Sequence, residues 1–227
     1  MVLLLLSFLL LSACETTGLG SVAGSAESRA ERLARDGEHA EAAGAYMGLA
    51  VDAEGLERDR FTLLAVEQYL DAGDITRARS AFSGVARPTT GSLAALWSTN
   101  RAAFYLYNGD ADAALSLLEP MSRQPLSQRD RLRVEALRAD AWIQRQDPAR
   151  AVELMTQRET WLDDRRGIER NRARLWQGLL VSSPTVLRNA ADVATDPVVR
   201  GWLTTVSYTH LTLPTNIIRC RSRWSPY

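Results

Sequence analysis

The stretch Ala102-Ala103-Phe104-Tyr105-Leu106-Tyr107-Asn108-Gly109-Asp110-Ala111-Asp112-Ala113-Ala114-Leu115-Ser116-Leu117-Leu118 decides the fold. It reads as the end of one helix, a tight corner at Asn108-Gly109-Asp110, and the start of a second helix. Gly109 tolerates the left-handed backbone that ends a helix, because it carries no Cβ. Asp110 is placed to cap the next helix by accepting from its free N–H groups. Ala102 and Tyr105 share one helical face, and Ala114 and Leu118 share the facing one. Helices joined this closely pack antiparallel, and the small Ala114 lets the backbones approach.

The same pattern recurs around Gly37, Gly73 and Gln146, a period of about 36 residues. Leu33, Tyr69, Tyr105 and Trp142 stand before the corner. Glu38, Asp74, Asp110 and Asp147 follow it. Ala42, Ala78, Ala114 and Ala151 come next, then Tyr46, Phe82, Leu118 and Met155. This arrangement resembles the tetratricopeptide repeat, a helix-turn-helix unit of about 34 residues. The period is looser, and the unit-closing proline is mostly missing. The expected fold is all-α: a tetratricopeptide-like solenoid of antiparallel helix pairs over residues 26–205.

Within it the expected pairs are 26–36 with 39–51, 57–72 with 75–85, 92–108 with 111–121, and 127–145 with 148–157. A further set follows over 168–181, 184–194 and 197–204. Leu33, Leu49, Phe61, Leu64, Ala65, Leu96, Trp97 and Tyr105 are expected inward with the repeated Ala and apolar positions. The aromatic positions keep register with the repeat, which makes them core rather than a ligand box. Arg87-Pro88-Thr89-Thr90-Gly91-Ser92 reads as a helix-breaking turn.

Alanine and leucine dominate, and β-branched runs are rare, as an all-helical chain requires. There is no lysine, so every basic side chain is Arg. The formal charge is zero, with 27 basic and 27 acidic residues. Residues 206–227 hold Arg219, Arg221 and Arg223 and no acid; the body keeps 24 basic against 27 acidic residues, a formal −3. That balance argues against a nucleic-acid surface, which needs clustered excess Arg or Lys. The run Arg165-Arg166 with Arg170, Arg172 and Arg174 is interleaved with Asp163, Asp164 and Glu169, and reads as a solvated helix face.

Met1 to Ala13 is apolar save for Ser7 and Ser12, and ends Leu11-Ser12-Ala13-Cys14. This resembles the lipobox of bacterial lipoproteins. The resemblance implies a signal peptide over 1–13 and an acylated Cys14, by thiol and by freed amine. Several acyl chains anchor far more firmly than one, since each buried methylene adds about 0.8 kcal/mol. Glu15 is not the inner-membrane retention residue of the enteric sorting rule, so the outer membrane is the expected address. Residues 14–25 are rich in Gly, Ser and Thr and are expected to form a flexible tether.

No catalytic constellation emerges. His39 and His210 are far apart, with His39 expected on the surface just past a corner. No His, Cys and acid set has metal-ligand spacing. Gly18, Gly20 and Gly24 follow no strand and open no phosphate-binding turn. Cys14 and Cys220 suggest no disulfide. No cofactor, metal or small-molecule substrate is expected.

Arg174-Leu175-Trp176-Gln177-Gly178-Leu179-Leu180, a helix ending Ala190-Ala191, and Val199-Arg200-Gly201-Trp202-Leu203 together resemble the penicillin-binding protein activator lipoproteins of Gram-negative outer membranes. In that family a Trp- and Leu-bearing helix is followed by a Gly-Trp-Leu segment that closes the amino-terminal domain. The resemblance implies a second, solute-binding-like domain that contacts a class A penicillin-binding protein and stimulates peptidoglycan cross-linking. This sequence holds no such domain. The alternative is another tetratricopeptide lipoprotein, serving outer-membrane assembly or secretion. A periplasmic hydrolase that has lost its catalytic domain is a third, weaker reading.

From about Val206 the composition changes. Ser207-Tyr208-Thr209-His210-Leu211-Thr212-Leu213-Pro214-Thr215-Asn216 resembles translated sequencing adapter, and 206–227 is expected to be a non-native tail. A strand-like start of a second domain is the other reading.

Overall fold

The computed structural model describes residues 17–89 and 91–212, and the side chains of 24–89 and 91–209 within them. Those residues form eleven helices and no strand. They are α1 (Thr17–Asp36), α2 (His39–Asp52), α3 (Gly55–Asp71), α4 (Ile75–Ser83), α5 (Gly91–Tyr107), α6 (Ala111–Ser122), α7 (Gln128–Gln144), α8 (Pro148–Glu159), α9 (Arg165–Leu180), α10 (Pro184–Val193) and α11 (Pro197–Thr212). The all-α expectation holds. The chain divides into two compact units, Met1–Phe82 and Ser83–Tyr227.

One corner geometry is built four times. Gly37, Gly73 and Gly109 hold φ at 87°, 79° and 77°, and Gln146 holds 62°. After each, a backbone N–H reaches back over the corner. Glu38 donates to the Leu33 carbonyl, Asp74 to Tyr69, Asp110 to Tyr105 and Asp147 to Trp142, all at 2.8–2.9 Å. Each corner residue itself donates to the carbonyl three before it, at 3.0–3.3 Å. This double closure satisfies carbonyls that the ending helix leaves unpaired. The next helix is then capped: Asp74 accepts from the Arg77 N–H at 3.0 Å, Asp110 from Ala113 at 3.0 Å and Asp147 from Arg150 at 3.3 Å. Glu38 makes no side-chain cap. Ser127, Asp164 and Ser183 cap α7, α9 and α10 in the same way.

The alanine that follows each corner is fully buried in all four cases: Ala42, Ala78, Ala114 and Ala151. So are the larger residues one turn on, Tyr46, Phe82, Leu118 and Met155, none above 9% exposed. A small side chain followed one turn on by a large one suits close helix packing, in which ridges of one helix fill grooves of the next.

In the first unit α2 packs against both α1 and α3. Arg60 of α3 clamps Glu27 of α1 through two bonds of 2.7 and 3.1 Å. Phe61, Leu64, Ala65 and Tyr69 are buried as expected, while Leu33 and Leu49 are half-buried. Helix α1 begins at Thr17 rather than near Ala26, so much of the segment expected as a tether is helical. Once Ala26–Asp36 has nucleated, each added residue gains a backbone bond, which offsets the glycine cost.

In the second unit α5, α6 and α7 pack mutually, and so do α7, α8 and α9. Gln144 of α7 donates to the Leu106 carbonyl at 2.8 Å and ties one corner to the previous one. The last three helices depart from this scheme. Helix α10 packs against α11 and α8, and α11 packs also on α8 and α9. No left-handed residue stands between α9 and α10 among the described residues, so no corner of the repeated kind folds α10 back onto α9. Leu175, Leu179, Leu187, Val199 and Leu203 share one core with Met155 and Ile143. Each such fully buried aliphatic side chain stabilises by about 1.5–3 kcal/mol. Helix α11 runs on through Thr212, and Val206 is fully buried in the same core. The described part of 206–227 is therefore helix and partly core, not strand.

Candidate functional site

A surface groove of about 580 Å³ opens between α6, α7 and α8. Helical spacing builds it. Leu115 and Glu119 lie one turn apart on α6; Arg138 and Trp142 do so on α7, with Arg145 beside them. Arg150, Glu153 and Leu154 come from α8. Two guanidinium groups lie over the Trp142 ring, Arg145 at 5.2 Å and Arg150 at 4.4 Å from its centroid.

The arginines in the groove are held by acidic neighbours. Arg138 donates to Glu119 at 2.9 Å and to Glu135 at 2.6 Å. Arg145 pairs with Asp112 at 3.0 Å, and Arg150 with Asp147 at 3.3 Å. Such a surface has no activated nucleophile or acid–base couple. Its Trp with two Arg over the ring matches residue types that carry protein-contact energy.

The same stacking recurs elsewhere. Arg77 lies 5.0 Å from the Tyr69 ring, Arg101 4.9 Å from Tyr105 and Arg87 5.4 Å from Trp97. Tyr105, Trp97 and Trp142 are consequently half-buried, roofed by Arg, where Trp97 and Tyr105 were expected inside the core. Arg carries enough apolar stem and quadrupole attraction to cover an aromatic face from the solvent side.

Two further expectations are corrected. His39 is half-buried, and its Nδ1 is 2.8 Å from Gln68 Oε1, because α3 packs over the start of α2. The arginines of α9 are not one solvated face. Arg165 and Arg172 are exposed, pairing with Glu169 and Glu159, whereas Arg174 turns inward and pairs with Asp140 of α7. Beside that pair lies a polar cluster the repeat pattern does not announce. Arg158 donates through Nη1 to Asn171 Oδ1 at 2.6 Å and through Nε to the Leu132 carbonyl at 2.9 Å. Burial first, then the guanidinium groups of Arg174 and Arg133, push Arg158 down to about 10.

Cys14, the expected lipidation residue, lies outside the described residues, as do Cys220 and 213–227; the side chain of His210 does too. The backbone at Gly18, Gly20 and Gly24 is helical. Among the described residues no group of His, Cys, Asp and Glu could hold a metal ion. No helix there is long and apolar enough to cross a membrane. Compared with known proteins, the chain matches no family model, no curated protein and no solved structure.

Proposed function

We propose that this chain is the amino-terminal, tetratricopeptide-like part of an outer-membrane lipoprotein that activates a class A penicillin-binding protein. Acyl chains on Cys14 anchor it in the outer membrane, facing the periplasm. Its stacked helix pairs carry out no chemistry; they reach into the periplasm and offer a protein-contact surface. The synthase is engaged through a further, solute-binding-like domain of the complete gene product.

The observation that carries this reading is the meeting of the two segments on which the family resemblance rests. Leu175 and Leu179 of α9 share a core with Val199 and Leu203 of α11, and Trp176 and Trp202 pack onto it. A helix bearing Trp and Leu and a Gly-Trp-Leu segment thus pack into one core of the second unit, which supports the reading. The repeated corners and the Trp142 groove supply the helical-pair scaffold and an exposed contact surface.

The test is metabolic labelling with an alkyne fatty acid, followed by co-isolation from cross-linked envelopes. The wild-type complete gene product takes up label and brings down a class A penicillin-binding protein. Cys14→Ser takes up none and leaves the outer-membrane fraction. A product that is labelled but brings down only an assembly or secretion component points instead to the other lipoprotein class.

A further inference from the structure

Arg158 is a half-buried cation whose hydrogen-bond partners are neutral. Its Nε and Nη1 are taken by the Leu132 carbonyl and the Asn171 amide oxygen. Asn171, 2% exposed, is itself fixed by donating to the Met155 carbonyl at 2.9 Å. No carboxylate among the described residues comes within ion-pair distance of Arg158. Its Nη2 has no partner there and is still reached by solvent. The neighbouring acid, Asp140, is already committed to Arg174. Arg133, next to Leu132, and Arg170, next to Asn171, add like charge to the same neighbourhood. Arg170 is exposed.

Arg158 is therefore half-desolvated without a counter-ion, on neutral partners from α7 and α9, in surroundings made more positive by arginines of those same two helices. Neutral acceptors orient such a group but do not neutralise it, and a half-buried unpaired charge is destabilising. An arriving anion relieves a repulsion the fold already contains.

We propose that the junction of α7, α8 and α9 is a carboxylate-binding site, in which Arg158 and Arg170 receive an acidic side chain or the terminal carboxylate of a partner peptide. The monoanion is favoured over a phosphate dianion for a half-buried site, since less charge is taken from water. The cluster already accommodates one carboxylate, Asp140 on Arg174. That the ligand belongs to a peptide rests on the protein-recognition reading above; the site itself rests on the neutral hydrogen-bond partners of Arg158 and the commitment of Asp140 to Arg174.

The test is fluorescence anisotropy of a fluorescein-labelled hexapeptide rich in Glu, titrated with the full chain. A Glu-rich peptide with an amidated end and a Gln-rich peptide with a free end separate side-chain from terminal carboxylates. A Gln-rich amidated peptide and inorganic phosphate are the controls. Binding is expected from peptides bearing a carboxylate, weakening with added salt. Arg170→Gln, an exposed change that leaves the fold intact, weakens it about tenfold. Arg158→Gln weakens it at least as much. Asp140→Asn frees Arg174 and tightens it. Arg101→Gln, exposed on α5 and outside this junction, leaves it unchanged. The proposal is overturned if the Gln-rich amidated peptide binds equally, if phosphate alone binds, or if Arg170→Gln and Asp140→Asn leave affinity unmoved. Peptide binding that follows these variants while no synthase is co-isolated would sink the activator reading and leave this site standing.

Discussion

The backbone N–H of Asp110 donates to the Tyr105 carbonyl at 2.9 Å, closing over a Gly109 held at φ 77°. Nothing lies within 4 Å of where a Cβ on Gly109 would stand. Gly109→Ala therefore meets no clash and is disfavoured by the left-handed backbone alone, about 1–2 kcal/mol. Gln146 already bears that cost at φ 62°. Gln146→Gly should gain up to about 1 kcal/mol, less the added freedom of the unfolded glycine. Urea midpoints of the two variants should move in opposite directions.

Ala151 is fully buried where α8 passes α7. Ala151→Leu forces the helices apart and should destabilise by about 1–3 kcal/mol. Thermal unfolding of the variant should begin earlier than in the wild type; an unchanged midpoint would show that the small residue is not needed for the close approach.

Gly178 lies inside α9, and a Cβ there would come 2.6 Å from Ile143 Cδ1 of α7. Alanine is favoured over glycine in a helix by about 1 kcal/mol. The clash with a buried isoleucine opposes that gain. Gly178→Ala alone should be near neutral or destabilising. Combined with Ile143→Val, which removes the clashing methyl, it should recover stability relative to Ile143→Val alone. A double-mutant cycle reads this as a favourable coupling between the two changes.

Asp74 accepts from the Arg77 backbone and side chain, which holds its carboxyl below the ordinary 3.8. A depressed carboxyl contributes stability above the unfolded value and loses it as pH falls through the folded one. Arg77 is exposed, so solvent screens the pair and the effect is small. Asp74→Asn keeps the cap and loses the charge. Its deficit against the wild type should be present at pH 6 and close as pH falls below about 4, measured by urea unfolding at each pH.

What the sequence made legible is local. A glycine, an acid and a spaced alanine specify a corner within one short segment, so Gly37, Gly73 and Gly109 announce themselves. Gln146 followed from register alone. What stayed hidden depends on partners distant in the chain. Trp97 and Tyr105 look like core until an Arg is seen to roof each ring. His39 looks exposed until Gln68 arrives from α3. Arg174 looks like part of a solvated run, yet Asp140 draws it inward. The pairing of α10 with α11 was illegible because no corner residue marks where the alternation stops. One signal was available: Arg77 and Arg150 occupy the same place after their corners, each beside an aromatic residue, Tyr69 and Trp142. The groove thus had a trace in the repeat, while the Arg158 cluster had none.

The central claim is that the complete gene product stimulates a synthase without acting on substrate itself. The direct measurement is the cross-linking rate of a purified class A penicillin-binding protein on lipid II, with and without that product. The predicted result is a higher cross-linking rate when both are present and no cross-linked peptidoglycan from the gene product alone. An unchanged rate across the organism's class A synthases, or turnover by that product alone, would contradict it.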